Sequence, residues 1–361
     1  MVELILLLFG ALVIAIALTP VSKWLAPHMG LVAHPRARDI HTKPVPKLGG
    51  LAILVGVLAM AVLLGQQPAF QQLAAIVIGA TLMSFMGLVD DRFQLNAYVK
   101  LGFQISVAIM AYLFDVRVMI FSSPLLDGLL TVLWIVGITN AMNMLDNMDG
   151  LLAGVSAVIA AFFTVLAAIN GQYLVSLLSA AVLGACLGFL FWNLNPASVF
   201  MGDSGSMFLG FLLACIAIKL RFIGQTPAVS WMVPVIVMGV PIFDTTLVTL
   251  SRLRRGKNPL TSPGKDHSSH RIANHGFSKR EAVMILYLVS CALGVIAIIA
   301  SVANIVASFM IAISLLAVGA YMLWFMELGP WKLTTIDWEA TSPSTSLRDP
   351  QAAAPINTSP S

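Results

Sequence analysis

QLAAIVIGATLMSFMGLVDD (residues 72–91) runs for eighteen residues without a charge and stops at two adjacent aspartates. At 1.5 Å per residue, that run crosses most of a hydrocarbon core of about 30 Å, so it predicts a membrane-spanning helix. Carboxylates at such a boundary are costly, and in membrane proteins they usually mark a site. The same pattern recurs further along. One apolar segment runs into NAMNMLDNMDG (140–150), and another is followed by FWNLNPASVFMGDSGS (191–206).

Apolar segments lie at about 2–22, 48–65, 72–89, 98–114, 124–141, 151–169, 173–191, 205–222, 228–249, 282–302 and 304–326. They predict an all-α, polytopic integral membrane protein with ten or eleven transmembrane helices, because the fourth is short and the fifth merges with a polar motif. Only 10% of the 361 residues are charged, 59% are hydrophobic and mean hydropathy is +0.93. A soluble domain carries roughly a quarter charged residues, so a soluble core is excluded. The membrane-embedded domain is expected over 1–326. A largely disordered cytoplasmic tail is expected over 327–361, where TSPSTSLRDPQAAAPINTSPS lacks apolar periodicity.

Glu3 is the only charge ahead of the first apolar run, and Lys23, Arg36, Arg38, Lys43 and Lys47 follow it. That asymmetry predicts a retained helix, not a cleaved signal peptide, with its N-terminus outside. Threading eleven spans from there puts 17 of the 20 Lys and Arg residues inside, leaving Arg117, Lys219 and Arg221 outside. The net charge of +4 is therefore mostly topology and does not point to nucleic acid. Cys186, Cys215 and Cys291 are isolated in apolar segments and read as small buried hydrophobes.

In this topology all three acidic sites face the cytoplasm. Asp90–Asp91 open DDRFQLNAYVK, and adjacent carboxylates can share a proton or a metal ion; the bland reading is a solvated pair capping a helix. Asn140, Asn143, Asp146 and Asp149 recur every three residues, which on a helical end gives a slowly drifting stripe of hard oxygen ligands. Asp203 sits between Gly202 and Ser204 ahead of an apolar run. The glycines permit close backbone approach, and the helix N-terminus favours phosphate. Ser204 as a plain N-cap is compatible with that role. No GxxxxGK[ST] loop occurs. Asp266-His267-Ser268-Ser269-His270-Arg271 lies in a basic loop over 251–281 and offers partners for a diphosphate, or a weaker zinc alternative. Pro234, Gly239 and Pro241 predict a break in the ninth span, with Asp244 just beyond it.

KPVPKLGG (43–50), DD (90–91), NAMNMLDNMDG (140–150), NLNPASVFMGDSGS (193–206) and HSSHR (267–271), in this order, resemble the polyprenyl-phosphate N-acetylhexosamine-1-phosphate transferases. The resemblance implies an integral membrane enzyme of the cell inner (plasma) membrane, with UDP-sugar and polyprenyl phosphate as substrates and Mg²⁺ (or Mn²⁺) as cofactor. Carried over by position, it implies that Asp90 and Asp91 form the catalytic acidic pair and that Asn143 and Asp203 hold the metal. Asp146, Asp149, Asn193 and Phe200 line the nucleotide side, and Lys100, His267, His270 and Arg271 contact phosphates or sugar. HSSHR lacks three consecutive histidines, which favours the UDP-GlcNAc branch, undecaprenyl-phosphate alpha-N-acetylglucosaminyl 1-phosphate transferase, over the muramoyl-pentapeptide transferase of peptidoglycan synthesis. The Lys43 and Lys47 segment departs from the usual pattern, with no threonine before its paired glycines.

The expected reaction transfers GlcNAc 1-phosphate from UDP-GlcNAc to undecaprenyl phosphate and releases UMP. It would start lipid-linked synthesis of a cell-wall polymer, lipopolysaccharide or teichoic acid. Direct attack by the lipid phosphate and a covalent phosphosugar on an aspartate both fit the residues. Direct attack is preferred, since an Asp pair with a metal already activates the phosphate. A membrane transporter is the reading from another class; it would place polar residues mid-span, where only Asp244 hints at one. A homodimer is compatible with the sequence.

Overall fold

A computed structural model describes residues 2–33, 44–63, 70–259, 261–262 and 264–331. Thirteen helices carry the described chain, in order α1 (Val2–His28), α2 (Gly50–Val62), α3 (Phe70–Phe93), α4 (Ala97–Leu113), α5 (Pro124–Leu145), α6 (Leu151–Ile169), α7 (Tyr173–Asn193), α8 (Gly202–Lys219), α9 (Pro227–Val237), α10 (Gly239–Arg254), α11 (Ser268–Asn274), α12 (Lys279–Val302) and α13 (Ile305–Glu327). Between α1 and α2, β1 (Val32–Ala33) pairs antiparallel with β2 (Val45–Pro46), the one sheet among the described residues. In lipid every backbone polar group must be satisfied inside its own segment, which is why so apolar a chain resolves into helices.

Eight helices are long and apolar enough to cross a membrane, nine if α9 and α10 count as one broken span. The remaining two expected segments correspond to the shorter apolar helices α2 and α4. The predicted break lies at Met238, where the axis turns by 75°. Pro241 falls in the first turn of α10, where its missing N–H costs no helical hydrogen bond.

α8 is the central helix, its residues buried almost throughout. It packs on α3 and α5, while α1 lies along α7 and α13 covers little. Gly184 and Gly188 of α7 let α1 approach so closely that a Cβ on Gly184 would lie 2.0 Å from the Leu8 carbonyl oxygen. The opposite ends of the bundle are tied separately. Lys219 bonds Gln72 and Arg221 bonds Gln172 at one end, whereas α3, α5, α7, α8 and α10 bring the acidic and histidine motifs together at the other.

Three boundaries differ from the sequence reading. α3 continues to Phe93, so Asp90 and Asp91 sit on its last turn instead of opening a loop. α5 continues to Leu145, so Asn140 and Asn143 are helical and Asp146 is its C-cap. α8 begins at Gly202, which places Asp203 and Ser204 inside its first turn. Lys43 and residues 332–361 of the expected tail lie outside the described residues.

Candidate active site

The turn between α3 and α4 folds Lys100 back over Asp90. Asn96 starts α4 by accepting the Tyr98 N–H at 2.9 Å. One turn in, Lys100 Nζ donates to Asp90 Oδ2 at 2.7 Å and lies 3.9 Å from Asp203 Oδ2. Asp90 Oδ1 accepts the Leu95 N–H at 2.8 Å, so both oxygens of this buried carboxylate are engaged. Asp90 and Asp203 lie within hydrogen-bonding reach of each other. One ammonium thus spans two carboxylates from different helices.

Asp91 points to the other partner, the N-terminus of α8. Its Oδ2 accepts the Ser204 N–H at 3.4 Å, a favourable place for negative charge at the positive end of a helix. Gly202 makes this possible: its φ is +74°, and a Cβ there would sit 2.6 Å from Asp91 Oδ2. Ser204 is therefore not the N-cap. Its backbone N–H is taken by Asp91, and its buried hydroxyl has no partner among the described residues.

α5 meets α8 through Asn143, whose Nδ2 donates to Ser206 Oγ at 2.8 Å, while Ser206 donates to the Asp203 carbonyl at 3.4 Å. That relay commits the amide nitrogen and leaves Asn143 Oδ1 as the atom suited to a cation. Asn140 is different. It pairs with Gln104 across α4 and α5, with Nδ2 to Oε1 at 2.6 Å, and acts as scaffold.

The donors around Asp203 are hard oxygens. Among the described residues no three His, Cys, Asp or Glu side chains converge on one point. Mg²⁺ commonly takes one or two carboxylates and completes its shell with substrate phosphate and water, so this set fits Mg²⁺ and not a closed zinc cage.

Asp146 lies within electrostatic reach of Asp91, Asp149 and Lys47. Burial pushes its carboxyl up to about 7, and the charges of Asp91 and Asp149 add to the shift against Lys47. Asp149 Oδ2 accepts from Asn195 Nδ2 and from the Ala197 N–H, both at 3.0 Å, which pins the 194–201 segment. Asn193 accepts the Gly150 N–H at 3.0 Å and donates to the Val199 carbonyl at 2.9 Å, so both ends of its amide shape the backbone. Phe200 lies in that segment, held by Phe200 N–H to Pro46 O and Gly49 N–H to Phe200 O at 2.8 and 3.0 Å.

The 266–271 loop is fastened along one face of α10. Asp244 Oδ2 bonds His267 Nδ1 at 2.8 Å. Asp266 takes Arg252 through Nε and Nη2 at 3.1 and 3.0 Å, and Arg255 at 2.6 Å. Hydrogen bonds and charge from these arginines overcome burial and hold the Asp266 carboxyl at about 2. Ser269 Oγ donates to Asn147 Oδ1 at 2.6 Å, joining the loop to the 140–150 motif. His270 is pushed down to about 4, by burial first and then by His267 and Lys265, and its Nδ1 is buried without a described partner. Arg271, expected at the substrate, is enclosed by protein. It has no exposed surface, and its guanidinium bonds Asp266 O, Met326 O, Ser251 Oγ and Glu327 Oε2 inside the protein.

Residues 73–221 match the profile of "Glycosyl transferase family 4". Over 314 residues the chain is 38% identical to the Bacillus subtilis protein described as "Probable undecaprenyl-phosphate N-acetylglucosaminyl 1-phosphate transferase", covering 84% of this chain and 87% of that one. The chain belongs to glycosyl transferase family 4. It is also 36% identical over 322 residues to the Mycolicibacterium smegmatis "Decaprenyl-phosphate N-acetylglucosaminephosphotransferase", covering 79% of each. To the Escherichia coli K12 "Undecaprenyl-phosphate alpha-N-acetylglucosaminyl 1-phosphate transferase" it is 28% identical over 316 residues, covering 83% and 85%. The family 4 profile takes in Asp90, Asp91, Asn143 and Asp203, while the histidine loop falls outside it.

Structure adds residues to this family 4 site that the sequence reading did not place there. Ser206 and Asn147 lie inside the quoted motifs but had no role assigned, and Tyr287, whose OH donates to the Gly150 carbonyl at 2.5 Å, sits in an apolar segment that gave no signal. Asp244 did give one, as a carboxylate beside a helix break, but its partner lies 23 residues downstream.

Proposed function

We propose that this protein transfers GlcNAc 1-phosphate from UDP-GlcNAc to a polyprenyl phosphate, undecaprenyl phosphate by likeness to the relatives, releasing UMP. The observation that carries the reading is the meeting of Asp90, Asp91, Asp203 and Lys100 at one end of a membrane bundle of this family. A lipid phosphate anchored in the bilayer reaches such a site without leaving the membrane. A nucleotide sugar would reach it from water, and in this reading that end faces the cytoplasm at the inner membrane.

In this reading a lipid phosphate oxygen attacks the β-phosphorus of UDP-GlcNAc and the phosphoanhydride bond to UMP breaks. Asp90 and Asp91 orient the incoming phosphate and accept a proton from it when it arrives protonated. Lys100, His267 and His270 hold diphosphate oxygens, and Asp149 and Asn193 fix the segment carrying Phe200 beside the nucleotide. Asp203 and Asn143 would hold Mg²⁺, which when bound neutralises charge on the transferring phosphates. Direct attack suits the carboxylates of α3, since Asp90 and Asp91 each already bond a neighbouring segment.

The test is UMP release by purified protein with undecaprenyl phosphate and Mg²⁺, offering UDP-GlcNAc or UDP-MurNAc-pentapeptide. Turnover of UDP-GlcNAc alone, lost in Asp203→Ala and on chelation, is expected. Turnover of the pentapeptide nucleotide would move the protein to peptidoglycan synthesis, and no UMP from either would return transport to the front.

A further inference from the structure

Asp244 is fully buried on α10, six residues past the 75° break, and its two oxygens have separate tasks. Oδ1 accepts the Ser268 N–H at 2.7 Å and the Ser268 hydroxyl at 2.6 Å, which fixes the start of α11. Among the described residues Oδ2 takes only His267 Nδ1, at 2.8 Å. A carboxylate needed for the scaffold alone would be satisfied by Ser268. The second oxygen fixes the ring plane of His267 and keeps a proton on Nδ1, which makes Nε2 the atom that can turn to a ligand.

We propose that Asp244 is a positioning residue for the transfer reaction: it sets the tautomer and orientation of His267 so that Nε2 meets the phosphates of the nucleotide sugar. This rests on the function proposed above. The surroundings restrict the ring further. His270 lies 5.8 Å away, ring centre to ring centre, and Arg252 and Arg255 on the same face of α10 are both committed to Asp266. Among the described residues Asp244 therefore has His267 as its charge-capable partner. The sequence marks Asp244 as a carboxylate beside a helix break but does not show its partner, which lies 23 residues downstream. The break at Met238 starts a new helix whose one face carries Asp244, Ser251, Arg252 and Arg255 to the loop.

Asp244→Asn separates the two tasks. The amide oxygen can still accept from Ser268, but the NH₂ group now faces His267 Nδ1 and favours the opposite tautomer. The experiment measures UMP release from UDP-GlcNAc across pH for wild type, Asp244→Asn, Ser268→Ala, His267→Ala and the Asp244→Asn/His267→Ala double variant, with melting temperatures in detergent. Asp244→Asn is expected to lower kcat by about 10–100-fold, to change the KM for UDP-GlcNAc much less, and to shift the pH profile. In the His267→Ala background it should cost nothing further, because the two residues act as one unit. Ser268→Ala should lower the melting temperature and retain most turnover. Wild-type-like turnover in Asp244→Asn, or losses that multiply in the double variant, would overturn the proposal. Absence of UMP release by the wild type would instead remove the function reading beneath it.

Discussion

Arg271 Nη2 donates to Glu327 Oε2 at 2.7 Å from a position with no exposed surface, closing the histidine loop onto the end of α13. The same guanidinium reaches Ser251 Oγ at 2.9 Å and the Asp266 carbonyl at 3.0 Å, so three parts of the chain converge on one side chain. Removing one partner of a buried ion pair strands the other. Arg271→Ala is expected to cost roughly 3–5 kcal/mol, seen as a clear fall in melting temperature in detergent. The folded fraction should keep its KM for UDP-GlcNAc. A large rise in KM with an unchanged melting temperature would return Arg271 to the substrate.

Gly50 and Gly205 bring α2 against the first turn of α8. A Cβ on Gly205 would lie 2.6 Å from Gly50 Cα and 2.3 Å from Met201 Cγ, contacts too close to relax without moving backbone. Gly205→Ala should destabilise by about 1–3 kcal/mol and displace Asp203, lowering turnover. Gly102→Ala is the comparison: nothing lies within 4 Å of its Cβ, and α4 gains a better helix former. Melting curves of both variants check this, and equal behaviour of the two would refute the packing argument.

Much of this architecture was legible because a bilayer demands long apolar helices, and the segment list from 2–22 to 304–326 meets a helix at every member. Charge at segment ends likewise marked Asp90, Asp91 and Asp203, which the fold brings together. The boundaries were less legible, since a membrane helix continues past its apolar run once its polar end is held by other helices. Asp90 on α3, bonded to Lys100 and Leu95 N–H, is such a case. Roles within the histidine loop were hidden for another reason. HSSHR shows a cation at position 271 but not that Ser251 and Glu327, 20 and 56 residues away, enclose it.

His270 should make stability depend on pH. Burial holds its imidazole at about 4, below the ordinary 6.5, so between those values the unfolded chain binds the additional proton. Its contribution is fully present above pH 6.5 and is lost as pH falls toward 4. His270→Gln removes that dependence. The melting difference between wild type and variant, followed from pH 7.5 to 4.5, should therefore shrink on acidification. A difference independent of pH would show that His270 is not held neutral. At neutral pH the ring is therefore uncharged, a hydrogen-bonding group and not a cation.

Lys100 competes with any cation for the carboxylates it bridges. Its ammonium lies 2.7 Å from Asp90 Oδ2 and 3.9 Å from Asp203 Oδ2, the ion pairs of both aspartates among the described residues. At an effective dielectric of about 20, a unit charge at the longer distance is worth roughly 4 kcal/mol, enough to matter to a metal ion that Asp203 would hold. Lys100→Ala should therefore have two opposed effects. Turnover falls by about 10²-fold or more, as expected when a group that aligns or stabilises reacting phosphates is lost. The Mg²⁺ concentration for half-maximal activity falls as well, because the acidic cluster loses its internal counter-ion. A lysine that served only the substrate phosphates would leave that midpoint unchanged or raise it. Mg²⁺ titration of UMP release in the two proteins, at saturating UDP-GlcNAc, separates these cases. A midpoint that rises in Lys100→Ala would mean that Lys100 acts on the substrate alone and that its contact with Asp203 is incidental.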